Sequence, residues 1–308
     1  MTGRASGGSR APVALVGPTA SGKSALAHAW AVAEGDVEIV TVDSMQVYRG
    51  MDIGTAKPTA VEQAEVRHHL LDVADPSEDF SLARFLPAAR AAVSAIAGRG
   101  SRALLVGGTG LYVQALVDDL EVPGLFPVTR AEVEEEADTV ALHARLAVLD
   151  PVAARRMEPT NRRRVVRALE VTLGSGRPFS SFGPGFEAYP PSPIRQVGLR
   201  ISADVLDRRI EERVAAMVGA GLVAEVAALA AAPRGFSRTA GQALGYREVL
   251  AHLEGACSLD EAVALTVTRT RQLARRQLRW FRRDPRIRWV DSGDNPLPDL
   301  EPLLGDST

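Results

Sequence analysis

The stretch GPTASGKS, residues 17–24, follows the apolar run Pro12-Val13-Ala14-Leu15-Val16. A glycine, four residues, then Gly-Lys-Ser is the spacing of a phosphate-cradling loop. Gly17 and Gly22 allow tight turns, so successive backbone N–H groups can face a bound anion. Lys23 brings a positive charge to phosphate oxygens, and the Ser24 hydroxyl is of the type that ligands Mg²⁺. The competing reading is a chance match in a Gly-rich turn. An apolar strand before the loop and a helical pattern after it weigh against that. The motif specifies a phosphate chain and leaves open what the chain is attached to.

The flanking sequence extends this reading. Residues 13–16 pattern as a strand and 23–33 as a helix. Residues 38–42, EIVTV, form a second β-branched run that ends at Asp43. Residues 85–97 have helical spacing, stopped by Gly98, and 103–106 make a third strand closed by Gly107-Gly108. This alternation predicts an α/β fold, a P-loop NTPase-like parallel sheet flanked by helices on both faces. Ligands of such sheets sit beyond the carboxyl ends of the strands. The loop, Asp43 and Gly107-Gly108-Thr109 all fall at such ends.

From about residue 118 the texture changes. Residues 130–149 and 161–173 read as charged helices, and 174–193 as a loop rich in Gly, Pro and Ser. A strand returns at 196–201, followed mostly by helices. The predicted organisation is a core of 11–117 and 195–295, a helical insertion domain at 118–194, and tails at 1–10 and 296–308. The 308 residues are 46% hydrophobic and 24% charged, enough for a substantial core. Cys257 is the single cysteine, which excludes an intrachain disulfide and a cysteine-based zinc site. The opening MTGRASGGSR has no apolar segment, and no apolar run reaches the length of a membrane span. A cytoplasmic protein with no membrane partner is expected.

Asp43 has three readings: a Mg²⁺ ligand, a general base, or the N-cap of whatever helix follows. The third strand ends in Gly-Gly-Thr rather than an acid, so Asp43 is the main carboxylate near the loop. The polar stretch DSMQVYRGMDIGTAKP, residues 43–58, is long for a connection. Tyr48, Arg49 and Lys57 are candidates there for contact with an anion, against a solvated loop. His68-His69 lacks companions at metal-ligand spacing and reads as structural or close to substrate. The net charge of −2 conceals a basic run, VTRTRQLARRQLRWFRRDPRIRW at 267–289. It has almost no acid before Asp284, which points to phosphate-backbone binding by Arg275, Arg276, Arg279 and their neighbours rather than to a solvated face. Arg162, Arg163, Arg164 and Arg167 form a second cluster in the insertion.

Six blocks in order, GPTASGKS, DSMQVYRGMDIGTAKP, LLVGGTGLYVQAL, RRVVRALEV, QALGYREV and TRQLARRQLRWFRRD, resemble the tRNA dimethylallyltransferase family over about residues 12–291. No zinc-finger segment follows them, as in bacterial-type members. The resemblance implies transfer of a dimethylallyl group from dimethylallyl diphosphate to a tRNA. The acceptor would be the exocyclic amine of the adenosine 3′ to the anticodon, in tRNAs reading codons that begin with U. It implies that Gly17, Pro18, Thr19, Ala20, Ser21, Gly22, Lys23 and Ser24 hold the diphosphate, with Ser24 helping to bind Mg²⁺. Asp43 matches the general base, and Thr109 a residue near the reaction centre. Arg213 matches an arginine facing the diphosphate, so that Lys23 and Arg213 share the leaving charge. Asp43, Ser44, Met45 and Gln46 match positions at the target nucleotide. Arg130, Arg163, Arg164, Arg167, Gln242, Gly245, Tyr246 and Arg247 match further tRNA contacts on the anticodon stem-loop. A monomer is expected. Two other classes compete. A small-molecule kinase would share the loop but leaves the arginine run unexplained. A non-catalytic RNA-binding protein leaves the loop and Asp43 idle.

Overall fold

Four apolar residues, Val13–Val16, form β1, and all four are buried. The computed structural model describes residues 10–183, 185–292 and 302–304. Most of both expected tails lies outside the described residues. The other strands are β2 (Val37–Thr41), β3 (His68–His69), β4 (Arg102–Gly107), β5 (Arg195–Arg200) and β6 (Ile287–Asp291). Their order in one sheet is β3-β2-β4-β1-β5-β6, and every pairing is parallel. Parallel strands covered on both faces read as continuous apolar runs rather than alternating ones. That is why β1, β2 and β4 stand out in the sequence.

The helices of this first unit are α1 (Lys23–Glu34), α2 (Ala60–Glu65), α3 (Leu82–Gly98) and α4 (Gly110–Val117). Trp30 and Ala27 of α1 pack with Val13, Leu15, Leu104 and Val106 of the sheet. Trp30 is 1% exposed, and burial of a side chain this large contributes about 2–3 kcal/mol. The chain leaves β1 toward β2 and returns through β4, then crosses to β5 on the other side of β1. This reversal opens a crevice at the carboxyl ends of β1 and β4, where the phosphate loop lies.

Residues Asp118–Pro190 form a second compact unit. It comprises α5 (Pro127–Glu134), α6 (Thr139–Leu149), α7 (Pro151–Arg155) and α8 (Arg162–Ser175), around Val133, Leu142, Leu146, Val165 and Leu169. The single helix expected over 130–149 is two. Asp138 breaks it, its carboxylate accepting the Val140 N–H at 2.8 Å as the cap of α6. Back in the first unit, α9 (Ala203–Gly219), α10 (Leu222–Ala230), α11 (Tyr246–Leu253) and α12 (Leu259–Phe281) follow β5. The strands β3 and β6 were not expected from the sequence. β3 has two residues, and β6 is a half-exposed edge carrying Arg288 and Trp289 between Ile287 and Val290.

Candidate active site

A cavity of about 590 Å³ lies over the loop between β1 and α1. Thr19, Ala20, Gly22, Lys23 and Ser24 line it, while Gly17, Pro18 and Ser21 do not. Ser21 is buried behind the loop, its N–H donating to the Pro18 carbonyl at 3.3 Å. Lys23 Nζ donates to the same carbonyl at 3.3 Å. Burial pushes the Lys23 ammonium down to about 8. Nearby Asp43 opposes that shift and Arg213 adds to it.

Asp43 follows β2 and enters the cavity from the sheet. Its Oδ1 accepts the Met45 N–H at 2.8 Å and the Gln46 N–H at 3.4 Å, closing a turn; no helix starts there, so Asp43 is not a helix N-cap. Among the described residues no donor reaches Oδ2, which leaves that oxygen able to accept a proton. Asp43 is the only Asp or Glu among the described residues that line the cavity. Thr109, at the end of β4, holds the following turn, its Oγ1 accepting the Ser44 N–H at 3.3 Å. Ser44, Met45 and Gln46 also line the cavity. Gln46 is fixed by donating to the carbonyls of Thr55 and Ala56 at 3.0 and 3.1 Å.

The remaining walls come from helices distant in sequence. Arg213 of α9 donates to Thr19 Oγ1 at 3.3 Å and lines the cavity. Ile210, Val214 and Met217 of the same helix, with Leu273 and Trp280 of α12, give an apolar wall. Trp280 seats on Gly110, where a Cβ would come within 2.3 Å of its ring. No side chain fits there, which explains why α4 starts on a glycine. Gln242 and Gly245 reach the cavity. Tyr246 is buried against Gly54, whose Cβ would lie 2.4 Å from its ring. Arg247 is exposed and donates to the Gln242 side chain at 3.3 Å.

Two residues important to this geometry carried no signal in the sequence. Glu225 of α10 accepts the N–H groups of Asp52, Ile53 and Gly54 at 3.1, 2.8 and 3.3 Å, and the Tyr246 hydroxyl. It pins the segment that carries GTAKP against α11. Gln277 of α12 accepts the Thr19 N–H at 2.8 Å.

Three expected anion contacts do not reach the cavity. Tyr48 is buried, its hydroxyl accepting the Phe80 N–H at 3.1 Å. Lys57 is 3% exposed and held by Asp52 and Asp72. Arg49 is exposed, donating to the Asp72 carbonyl at 3.1 Å. His69 Nε2 donates to Glu38 at 2.7 Å, and Arg99 donates to the same carboxylate, holding it down at about 2.

The basic run divides. Arg269 pairs with buried Glu248, and Arg271 with Glu211 and Asp207. The expectation that the run lacks acids is therefore corrected for these two: their acids lie on other helices. Arg275 is 65% exposed with a loose 3.6 Å contact to Asp207. Arg276 lines the cavity, and Arg279 is exposed. In the second unit, Arg163 and Arg164 are exposed, whereas Arg130 and Arg167 pair with buried Glu170. Arg167 also donates to the carbonyls of Pro123 and Gly124 at 2.8 and 3.0 Å.

Among the described residues no group of three His, Cys, Asp or Glu is placed to hold a metal. What the cavity does offer a metal is the Ser24 hydroxyl, a hard oxygen donor. A single such ligand fits Mg²⁺, which takes few protein ligands and completes its shell with water and phosphate oxygens.

A model of the IPP transferase family matches residues 46–284. A tRNA dimethylallyltransferase of Kineococcus radiotolerans is 51% identical, over 93% of this chain and 92% of that protein. One from Streptomyces coelicolor is 50% identical, over 91% and 90%. The tRNA isopentenylpyrophosphate transferase of Bacillus halodurans superposes with a TM-score of 0.69 at 39% identity, over 94% of this chain and 92% of that one. A eukaryotic dimethylallyltransferase solved acting on tRNA superposes with a TM-score of 0.77 at 26% identity, over 95% and 76%. With the phosphate loop, Asp43 and Arg213 on one cavity and relatives of this similarity along nearly its whole length, the chain belongs to the IPP transferase family.

Proposed function

We propose that this chain transfers the dimethylallyl group of dimethylallyl diphosphate to a tRNA. The acceptor is the exocyclic amine of the adenosine 3′ to the anticodon, in tRNAs reading codons that begin with U. The observation that carries this is the pairing, in one cavity, of an anion-binding loop with a carboxylate that has a free oxygen and an apolar wall. A short prenyl chain needs the apolar surface that Ile210, Val214, Met217 and Leu273 provide.

In this reading the amine nitrogen bonds to the prenyl carbon as the bond from that carbon to the diphosphate oxygen breaks. The amine proton passes to the free oxygen of Asp43. Charge grows on the leaving diphosphate, where Lys23, Arg213 and the loop N–H groups meet it. Mg²⁺, held through Ser24, would neutralise part of that charge when bound. The adenine leaves its stack to reach the cavity, as base-modifying enzymes require. Arg275, Arg276 and Arg279, with Arg163 and Arg164 of the second unit, hold RNA phosphates. The chain works as a monomer, and in the cytoplasm, where its RNA substrate is found.

Incubation with radiolabelled dimethylallyl diphosphate, Mg²⁺ and total tRNA tests this. Label should enter the RNA at one adenosine. RNA-stimulated ATP hydrolysis without labelled RNA would replace this reading with a kinase-like one.

A further inference from the structure

The loop is gripped from outside its own strand and helix at two residues: the Ser21 carbonyl accepts from Arg209 of α9 at 3.4 Å and from the Ser292 hydroxyl at 3.2 Å, and the other residue is Thr19. Its side chain accepts from Arg213 of α9, and its backbone N–H donates to Oε1 of Gln277 on α12 at 2.8 Å. Gln277 lies 258 residues beyond Thr19 in sequence. The other end of the Gln277 amide lies over Gly108, where a Cβ would come within 2.6 Å of Nε2 and 3.2 Å of the Gly17 carbonyl. The Gln277 amide therefore spans the loop and the end of β4.

The helix that supplies this amide has two working faces. Thr266, Thr270, Leu273, Gln277 and Trp280 recur at helical spacing along the cavity. Arg275 and Arg279 project from the exposed side, with Arg276 between the two faces. A polyanion held by those arginines thus fixes the helix that holds the Thr19 N–H. Any shift of α12 along its axis lengthens that hydrogen bond, and the loop is left with a different arrangement of N–H groups.

We propose that Gln277 is a positioning residue that couples RNA occupancy of α12 to the diphosphate affinity of the loop. The proposal rests on the function proposed above for the two ligands. Coupling of this kind is reciprocal: RNA tightens the loop around diphosphate by the same factor that diphosphate tightens RNA.

The test measures affinity for inorganic pyrophosphate, with and without a saturating anticodon stem-loop RNA. In the wild type, RNA should tighten pyrophosphate by about 5-fold or more, the lower bound of usual coupling. Gln277→Met keeps the length and removes the acceptor. It should reduce that factor to near one while RNA affinity alone is little changed. Gln272→Met, an exposed position on the same helix, should leave the factor intact. A wild type with no coupling, or a Gln277→Met variant that retains it, overturns the proposal. Hydrogen exchange of the unaltered protein supplies a measurement independent of variant folding. RNA should slow exchange at the Thr19 amide, and unchanged exchange also overturns the proposal. Label transfer to tRNA by the wild type is scored separately, so failure of the coupling and failure of the proposed reaction are distinguishable.

Discussion

Asp43 commits one carboxylate oxygen to the backbone N–H groups of Met45 and Gln46 and presents the other to the cavity. Asn at this position keeps an oxygen to accept these N–H groups and loses the base. Asp43→Asn should therefore lower turnover by roughly 10²–10⁴-fold, the usual range for a general base, with pyrophosphate and tRNA affinities little changed. Single-turnover transfer assays beside calorimetry check this. Loss of Mg²⁺-dependent pyrophosphate binding with the chemical step intact would make Asp43 a metal ligand instead. Lys23 adds a pH dependence. Burial brings its pKa from 10.5 to about 8, and the negative charge of a bound diphosphate would raise it again. The charged form binds, so affinity is full below pH 8 and declines as pH rises through 8, by at most about tenfold per pH unit. The ratio of wild-type to Lys23→Arg affinity between pH 7 and 9.5 cancels titration of the ligand itself. A flat ratio would show that Lys23 does not meet the phosphates.

At the scale of elements, α12 combines structural and ligand-facing arginines on one helix. Arg275, Arg276 and Arg279 together replaced by Ala should weaken all tRNAs alike. The slope of log affinity against log salt should flatten by about 0.7–0.9 for each phosphate that the arginines no longer neutralise. An unchanged slope would reduce these arginines to a solvated face. Arg269 belongs to the other class. Its partner Glu248 is fully buried and also accepts the Gly245 N–H at 2.8 Å. Arg269→Ala leaves that carboxylate without its cation and should cost about 3 kcal/mol, the low end for a broken buried pair because Arg269 is itself partly open to water. Urea denaturation measures it. A midpoint equal to wild type would place Arg269 with the ligand-facing group. This division was hidden in the sequence because the acids that neutralise Arg269 and Arg271 lie 21 and 60 residues away. By contrast, the strands β1, β2 and β4 were legible because burial on both faces leaves a local apolar run. The two-residue strand β3 and the half-polar edge β6 leave no such mark.

For the whole molecule, the described residues that line the cavity all belong to the sheet unit. The chain leaves that unit at Val117 and re-enters at Pro191, and the Ser192 hydroxyl donates to the Val117 carbonyl at 2.7 Å. The exit and re-entry points therefore lie together. Replacing residues 118–190 with a short Gly-Ser linker should leave a folded sheet unit that binds pyrophosphate as the full chain does, with weakened tRNA binding. Pyrophosphate titration and circular dichroism of the excised form check this. Loss of pyrophosphate binding in a folded excised form would mean the second unit shapes the loop.

By itself the sequence determined the phosphate loop, the parallel sheet behind it and the candidate base at the end of β2. Each of these is written in consecutive residues: a glycine-spaced turn, an apolar run, an acid at a strand end. The order of blocks also carried the family resemblance. Only the tertiary structure decided that Lys57 serves Asp52 and Asp72 rather than a ligand, that Arg130 and Arg167 serve Glu170, and that Glu225 and Gln277 hold the site in shape. Charges and amides act on whatever lies within a few ångströms, and in a parallel sheet with a long crossover those neighbours come from distant parts of the chain. A loop that makes its own turn can be read locally, whereas a hydrogen bond from Thr19 to a helix 258 residues on exists only once the chain has folded.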